Sequence, residues 1–252
     1  MIQWLRRLVR PEPIADDVWQ PVVATCAWVA ALDPDRQHRL RALATRFLHE
    51  KTLSPLAGLH LQPQDRVLLA ATCCLPLLEI GAAGWRGWSQ LILYPDAFRV
   101  QRTHLDAAGV LHQWEDTLIG EAWQQGPLIL SWADLQADLA DPHAGFNVVV
   151  HEMAHKLDAL DGALDGTPPL PASMRRAWAH DFQQAYDAFC QQVDADAQTV
   201  IDPYAAEAPE EFFAVLSEYH FSAPQVLAAH MPQVAAHLTT LYGPSPFADH
   251  HR

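Results

Sequence analysis

The stretch NVVVHEMAHKLDALDG, residues 147–162, carries two histidines and a glutamate in the order His151-Glu152-x-x-His155. Four residues are about 400° of rotation on an α-helix, so both imidazoles leave one face a turn apart and can reach one ion. Glu152 projects about 100° to the side, beside that ion and not towards it. The residue types suit metal-assisted hydrolysis. Imidazole nitrogens hold zinc in tetrahedral sites, the metal lowers the pKa of a water, and a carboxylate takes its proton and passes it to the leaving amine. With 14 His and 10 Glu in 252 residues, chance gives about 0.03 such patterns per chain, so the motif alone is suggestive. Its flanks strengthen it: Val148–Val150 can bury the helix start, and Gly162 can close its end. The competing account is a half-buried helix whose histidines are merely hydrogen-bonded.

A catalytic zinc needs a third protein ligand and leaves the fourth position to water. Downstream, the carboxylates in reach are Glu207, Glu210, Glu211 and Glu218. Glu211 and Glu218 share a helix face two turns apart, and Glu210 lies about 100° away. Pattern alone does not choose among them. A carboxylate normally holds the far nitrogen of a ligating histidine; Asp158 is on the right face for this, and Glu218 can do it from another helix.

The rest of the chain is read from its texture. Half of the residues are hydrophobic, enough for a sizeable core. No Gly/Ser-rich or Pro-rich run marks a linker, so residues 34–252 read as one domain, with residues 1–33 packing on it or capping it. A net charge of −14 without a basic stripe argues against nucleic acid. The short basic stretch Arg6 to Arg10 reads as a docked or frayed terminal helix, with a membrane surface or a partner as the less favoured alternative. Nothing approaches a membrane span or a secretory signal. Cys26, Cys73, Cys74 and Cys190 form no CxxC pair and no disulfide framework, which fits a reducing, cytoplasmic setting. Asp158, Asp161 and Asp165 lack the spacing of a calcium loop and read as turn residues. His250 and His251 carry no assigned role.

Periodicity predicts helices over 34–50, 62–78, within 147–162, over 172–194, from Pro209, and one more from Pro224 to the "YGPSP" stretch. Short β-rich pieces between them, "WSQLILYPDAF", "FRVQR" and the clearest, "GPLILSW" (Gly126 to Trp132), read as strands. Helices, then strands, then helices give an α+β fold, mainly helical with a small mixed or antiparallel sheet.

Three blocks in order, "YPDAF" with "GEAWQQGPLILSW", then "NVVVHEMAHKLDALDG", then "IDPYAAEAPEEFFAVLSEYHFSAP", resemble the Mlc titration factor A family of bacterial zinc peptidases. The resemblance runs from roughly Leu40 to Leu227. It implies a zincin-like metallopeptidase domain with one zinc per chain held by His151, His155 and Glu211. It further implies Glu152 as general base and Tyr204, seven residues before Glu211, as the donor to the transition state. The catalytic domain of anthrax lethal factor is similar in its Tyr and Glu spacing, which favours Glu211 over Glu210. Met153 and His220 stand where the family leads one to expect aromatic residues.

Two functional classes follow. One is a peptidase acting on peptides or an exposed protein segment, with amino- and endopeptidase action left open and the edge of "GPLILSW" offered to an extended substrate. The other is a binding module, since the resemblance implies that a member can sequester an Mlc-like transcriptional repressor of sugar-uptake genes. A structural zinc site would instead need four protein ligands.

Overall fold

The computed structural model describes residues 11–96 and 126–248. Its first helices are α1 (Asp16–Thr25), α2 (Ala27–Ala30) and α3 (Pro34–Glu50). Asp33 starts α3 by accepting the Arg36 N–H on its side chain at 2.9 Å, and Pro34 supplies a preset first residue. Strand β1 (Thr52–Pro55) leads to α4 (Pro63–Cys74), in which every residue from Val67 to Cys74 is buried. A helix apolar all round belongs in the middle of a fold, and α4 packs against α1, α3 and the helix of the histidines. Two 3-10 turns, Leu75–Leu77 and Gly81–Trp85, bring the chain to β2 (Gln90–Tyr94).

Beyond β2 come β3 (Leu128–Ser131), α5 (Trp132–Ala140), α6 (Val148–Asp158), α7 (Ala172–Asp194), α8 (Pro209–Ser222), α9 (Pro224–His230) and α10 (Pro232–Tyr242). The sheet order is β1-β2-β3 and both pairings are parallel, with Leu53, Leu91 and Leu128 in one row. Among the described strands this corrects the antiparallel option of the expected mixed or antiparallel sheet. Between β1 and β2 the chain crosses back through α4, and such a return makes neighbouring strands parallel. Leu91, Leu93, Leu128 and Leu130 are all fully buried, as strands under helical cover require.

Other expectations are met or refined. The helices at 34–50, 172–194 and from Pro209 stand where periodicity puts them. The helix expected from Pro224 divides in two, because Pro232 lacks an N–H and its predecessor Met231 leaves the helical region at φ −138° and ψ 63°. Strand β1 and helix α5 have no counterpart in the sequence reading. The strand expected at "FRVQR", most of the β-rich run that precedes Gly126, the basic stretch Arg6 to Arg10 and the pair His250 and His251 lie outside the described residues. Among the described residues no helix is long and apolar enough to cross a membrane. Trp19, Val22, Trp28 and Val29 from α1 and α2 are buried in the same core as α4.

Candidate metal centre

Helix α6 runs through the core against α4, β3 and α8. Asn147 caps it by accepting the Val150 N–H at 3.0 Å, and the Asp138 carboxylate of α5 takes the Val148 N–H at 2.7 Å. With the Val148 and Val150 N–H groups satisfied in this way, the apolar run Val148–Val150 can be buried at lower cost. His151 is then 1 % exposed and His155 opens towards solvent.

The two ring nitrogens meet. His151 Nε2 and His155 Nε2 are 3.1 Å apart. Glu211, in the first turn of α8, brings Oε2 to 3.1 Å from His151 Nε2 and 3.4 Å from His155 Nε2. These three groups form the one cluster of three or more His, Cys, Asp or Glu able to hold a metal among the described residues, with all ligand atoms within 4.8 Å. Glu211 Oε2 is buried, yet it accepts no hydrogen bond of good geometry. The three atoms lie close enough to share one ion.

Glu218, two turns along α8, closes the far side of the same imidazole. Its Oε1 lies 2.7 Å from His151 Nδ1, and its Oε2 accepts the Asn147 N–H at 2.6 Å. One carboxylate therefore fixes the ring and the start of the helix that carries it, and leaves the Nε2 edge of the ring facing Glu211. Burial pulls the His151 pKa down, but the Glu218 and Glu211 carboxylates outweigh it and hold the imidazole up at about 9. Burial likewise pushes Glu211 up, and the two imidazoles beside it hold it far below the usual carboxylate range. Two carboxylates around two imidazoles form a cage that favours positive charge at its centre.

Of the four downstream carboxylates, Glu211 joins the ligand cluster and Glu218 backs it. Glu207 is exposed, and Glu210 stays outside the cluster. Asp158 is fully buried but takes the Gly166 N–H at 2.8 Å in place of a histidine ring. Burial raises its pKa to about 6. Its bond draws the loop after α6 onto the start of α8, where a Cβ on Gly166 would stand 2.4 Å from the Pro209 carbonyl oxygen. Asp161 and Asp165 accept the Ala163 and Thr167 N–H groups, as turn residues do.

Glu152 is half-buried beside the pair on α6. Tyr204 lies on a 3-10 turn, Pro203–Ala206, with its ring centre 6.2 Å from that of His151. Sequence reasoning missed Asp138 and Lys156. The Lys156 ammonium donates to the Gly126 carbonyl at 2.9 Å and ties α6 to the start of β3. Nothing in local patterning signals either contact, because each joins elements remote in the chain.

Two helices present two imidazoles and a carboxylate that could hold one metal ion, the donor set a metallopeptidase needs. The chain belongs to the glucose-regulated metallo-peptidase M90 family, whose model matches residues 1–243. It is 38% identical over 252 residues to Mlc titration factor A of Yersinia enterocolitica, covering 98% of this chain and 93% of that protein. It is 37% identical to Mlc titration factor A of Serratia proteamaculans, covering 98% and 95%. For the protein of that name in Escherichia fergusonii the identity is 40% over 221 residues, covering 86% and 83%.

Proposed function

We propose that the chain is a cytoplasmic zinc-dependent peptidase that hydrolyses peptide bonds. The observation that carries this reading is the meeting of His151 Nε2, His155 Nε2 and Glu211 Oε2 within 4.8 Å. Bonds of about 2.0–2.1 Å in a tetrahedral zinc site place neighbouring ligand atoms about 3.3 Å apart. The separations here, 3.1, 3.1 and 3.4 Å, fit that cage. Three protein ligands leave one position for solvent, as catalytic sites do.

Zinc bound by His151, His155 and Glu211 would supply Lewis acidity and a water that ionises near neutral pH. The remaining steps belong to the protein. Glu218 keeps the His151 ring in register. Glu152 takes a proton from the attacking water on its carboxylate oxygen and delivers it to the leaving amine nitrogen. The Tyr204 hydroxyl donates to the substrate carbonyl oxygen as that oxygen gains charge, a contribution of about 2.7–4 kcal/mol for donors of this kind. Strand β3 is an edge of the described sheet and packs on α6, so an extended peptide can add there as a further strand. Residues 34–252 form the peptidase domain in this reading, with residues 1–33 packed on it, which the burial of Trp19 and Trp28 supports.

A second reading is favoured by the names of the relatives, which call them titration factors for Mlc. In it the chain sequesters an Mlc-like transcriptional repressor, and no hydrolysis is needed. One experiment separates the two: digestion of a peptide library, wild type beside Glu152→Gln, with and without a zinc chelator. Cleavage by wild type alone, lost on chelation while Glu152→Gln still binds one zinc, is the expected result. Absence of cleavage by zinc-loaded wild type overturns the peptidase reading and leaves the sequestering one.

A further inference from the structure

The segment that carries Tyr204 is gripped at both ends. At Val200, the Tyr219 hydroxyl from α8 donates to the backbone carbonyl at 3.0 Å. At Ala206, the Tyr186 hydroxyl from α7 donates to the backbone carbonyl at 3.1 Å. Between them the Asp202 side chain accepts the Tyr204 N–H at 2.9 Å. This strap, residues 200–206, has little regular structure besides the 3-10 turn, and Val200 is 58 % exposed. Ile201 and Ala205 anchor the segment in the core, and its internal bonds are local ones within the turn, so the two phenols are what tie its backbone ends to α7 and α8.

Both grips are registered to the metal cluster. The Tyr219 ring follows Glu218 in sequence and lies against Gly145, where a Cβ would stand 2.9 Å from Cζ. Gly145 is two residues ahead of the Asn147 cap of α6. The Tyr186 ring meets Phe212, the neighbour of Glu211, edge-on at 5.4 Å. The helix that supplies Glu211 and Glu218 thus also sets both clamps.

We propose that Tyr186 and Tyr219 are positioning residues that hold the strap so that the Tyr204 hydroxyl stands over the metal ligands. The proposal rests on the role given to Tyr204 above. Burial raises both phenols, Tyr186 to about 12, so both remain donors through neutral pH.

Tyr186→Phe and Tyr219→Phe keep the rings and remove the hydroxyls, so melting temperature serves as the control for folding. The test measures amide hydrogen exchange over residues 201–205 in the zinc-loaded protein, then kcat and KM on a peptide from the library digest. Each is also combined with Tyr204→Phe. Exchange over the strap is expected to quicken while that of α6 is unchanged. Each single variant should lose about tenfold in kcat with KM within about twofold, since misplacing a catalytic donor acts on the chemical step. Added to Tyr204→Phe, neither should cost more. Unchanged strap exchange in both variants, or kcat losses that multiply with that of Tyr204→Phe, overturns the proposal. Wild-type kcat in Tyr204→Phe removes the role of Tyr204 and this proposal with it, while leaving the zinc peptidase reading standing. Should wild type cleave nothing, the exchange measurement alone decides whether the strap is clamped.

Discussion

Between α6 and α8 the pair His151 and Glu218 is sealed, 1 % and 3 % exposed. The strap before α8 leaves Val200 58 % exposed, and its backbone ends are held by neutral phenol-to-carbonyl hydrogen bonds beside the buried Ile201 and Ala205. Hydrogen bonds with an ionised partner are shorter and stronger than neutral ones, and a buried network is costly to leave half-made. Neutral bonds at a rim contribute about 1 kcal/mol each. The ring of His151 and the carboxylate of Glu218 therefore belong to the stability of the fold, whereas the segment of Tyr204 is tied at its ends by weaker bonds.

The largest expected effect breaks the sealed region. Glu218→Ala leaves the His151 Nδ1–H and the Asn147 N–H without their shared acceptor. Loss of about 3–5 kcal/mol in denaturant unfolding is expected, together with a 10- to 100-fold fall in zinc affinity by competition titration. A stability change under about 1 kcal/mol would place this carboxylate in the same class as the strap bonds.

Gly166→Ala should cost less. Its φ is +77°, and the added Cβ would press on the Pro209 carbonyl, for an expected loss of about 1–3 kcal/mol. Pro209 opens α8 two residues before Glu211, so zinc affinity should fall in parallel. Full affinity at reduced stability would show that the loop after α6 does not position the third ligand.

The smallest effect is graded by pH. Burial lowers the His220 pKa from its ordinary 6.5 to about 4. The unfolded chain then takes up a proton that the folded one refuses. The contribution is complete above about 6.5 and drains away as pH falls towards 4, by at most about 1.4 kcal/mol per pH unit. His220→Phe, which also removes an unpartnered buried Nε2, should flatten that limb in urea midpoints taken from pH 7 to 4.5. Equal slopes in the two proteins would assign the acid sensitivity to other groups.

How much of this was legible in the sequence depends on the range of the interactions. Helix α3 could be read because Leu40, Leu43, Ala44, Phe47 and Leu48 recur at helical spacing, and α8 because Pro209 is a local start signal. The facing of His151 and His155 follows from a spacing of four. The approach of Glu211 does not, since it requires α8 to cross α6, and only the resemblance to a family singled it out from Glu210 and Glu218. Strand β1 was hidden because TLSP is four residues long and ends in proline. The parallel sense of the sheet was hidden because it depends on where α4 sends the chain, not on any strand's own residues. Helix α5 begins at the residue after β3, so no break in texture announces it.

The cysteines have a practical consequence for following the strap in solution. Cys26, Cys73 and Cys74 are fully buried, and burial raises each thiol well above its ordinary value. Thiolates are the species that react with alkylating reagents, so these three are shielded twice over. Cys190 is partly exposed on α7, with its sulfur 3.8 Å from the Ala206 carbonyl oxygen. A maleimide dye added to the native, unengineered chain thus has a single preferred address, directly beneath the segment of Tyr204, and its fluorescence would report how that segment responds when a peptide or a protein partner arrives.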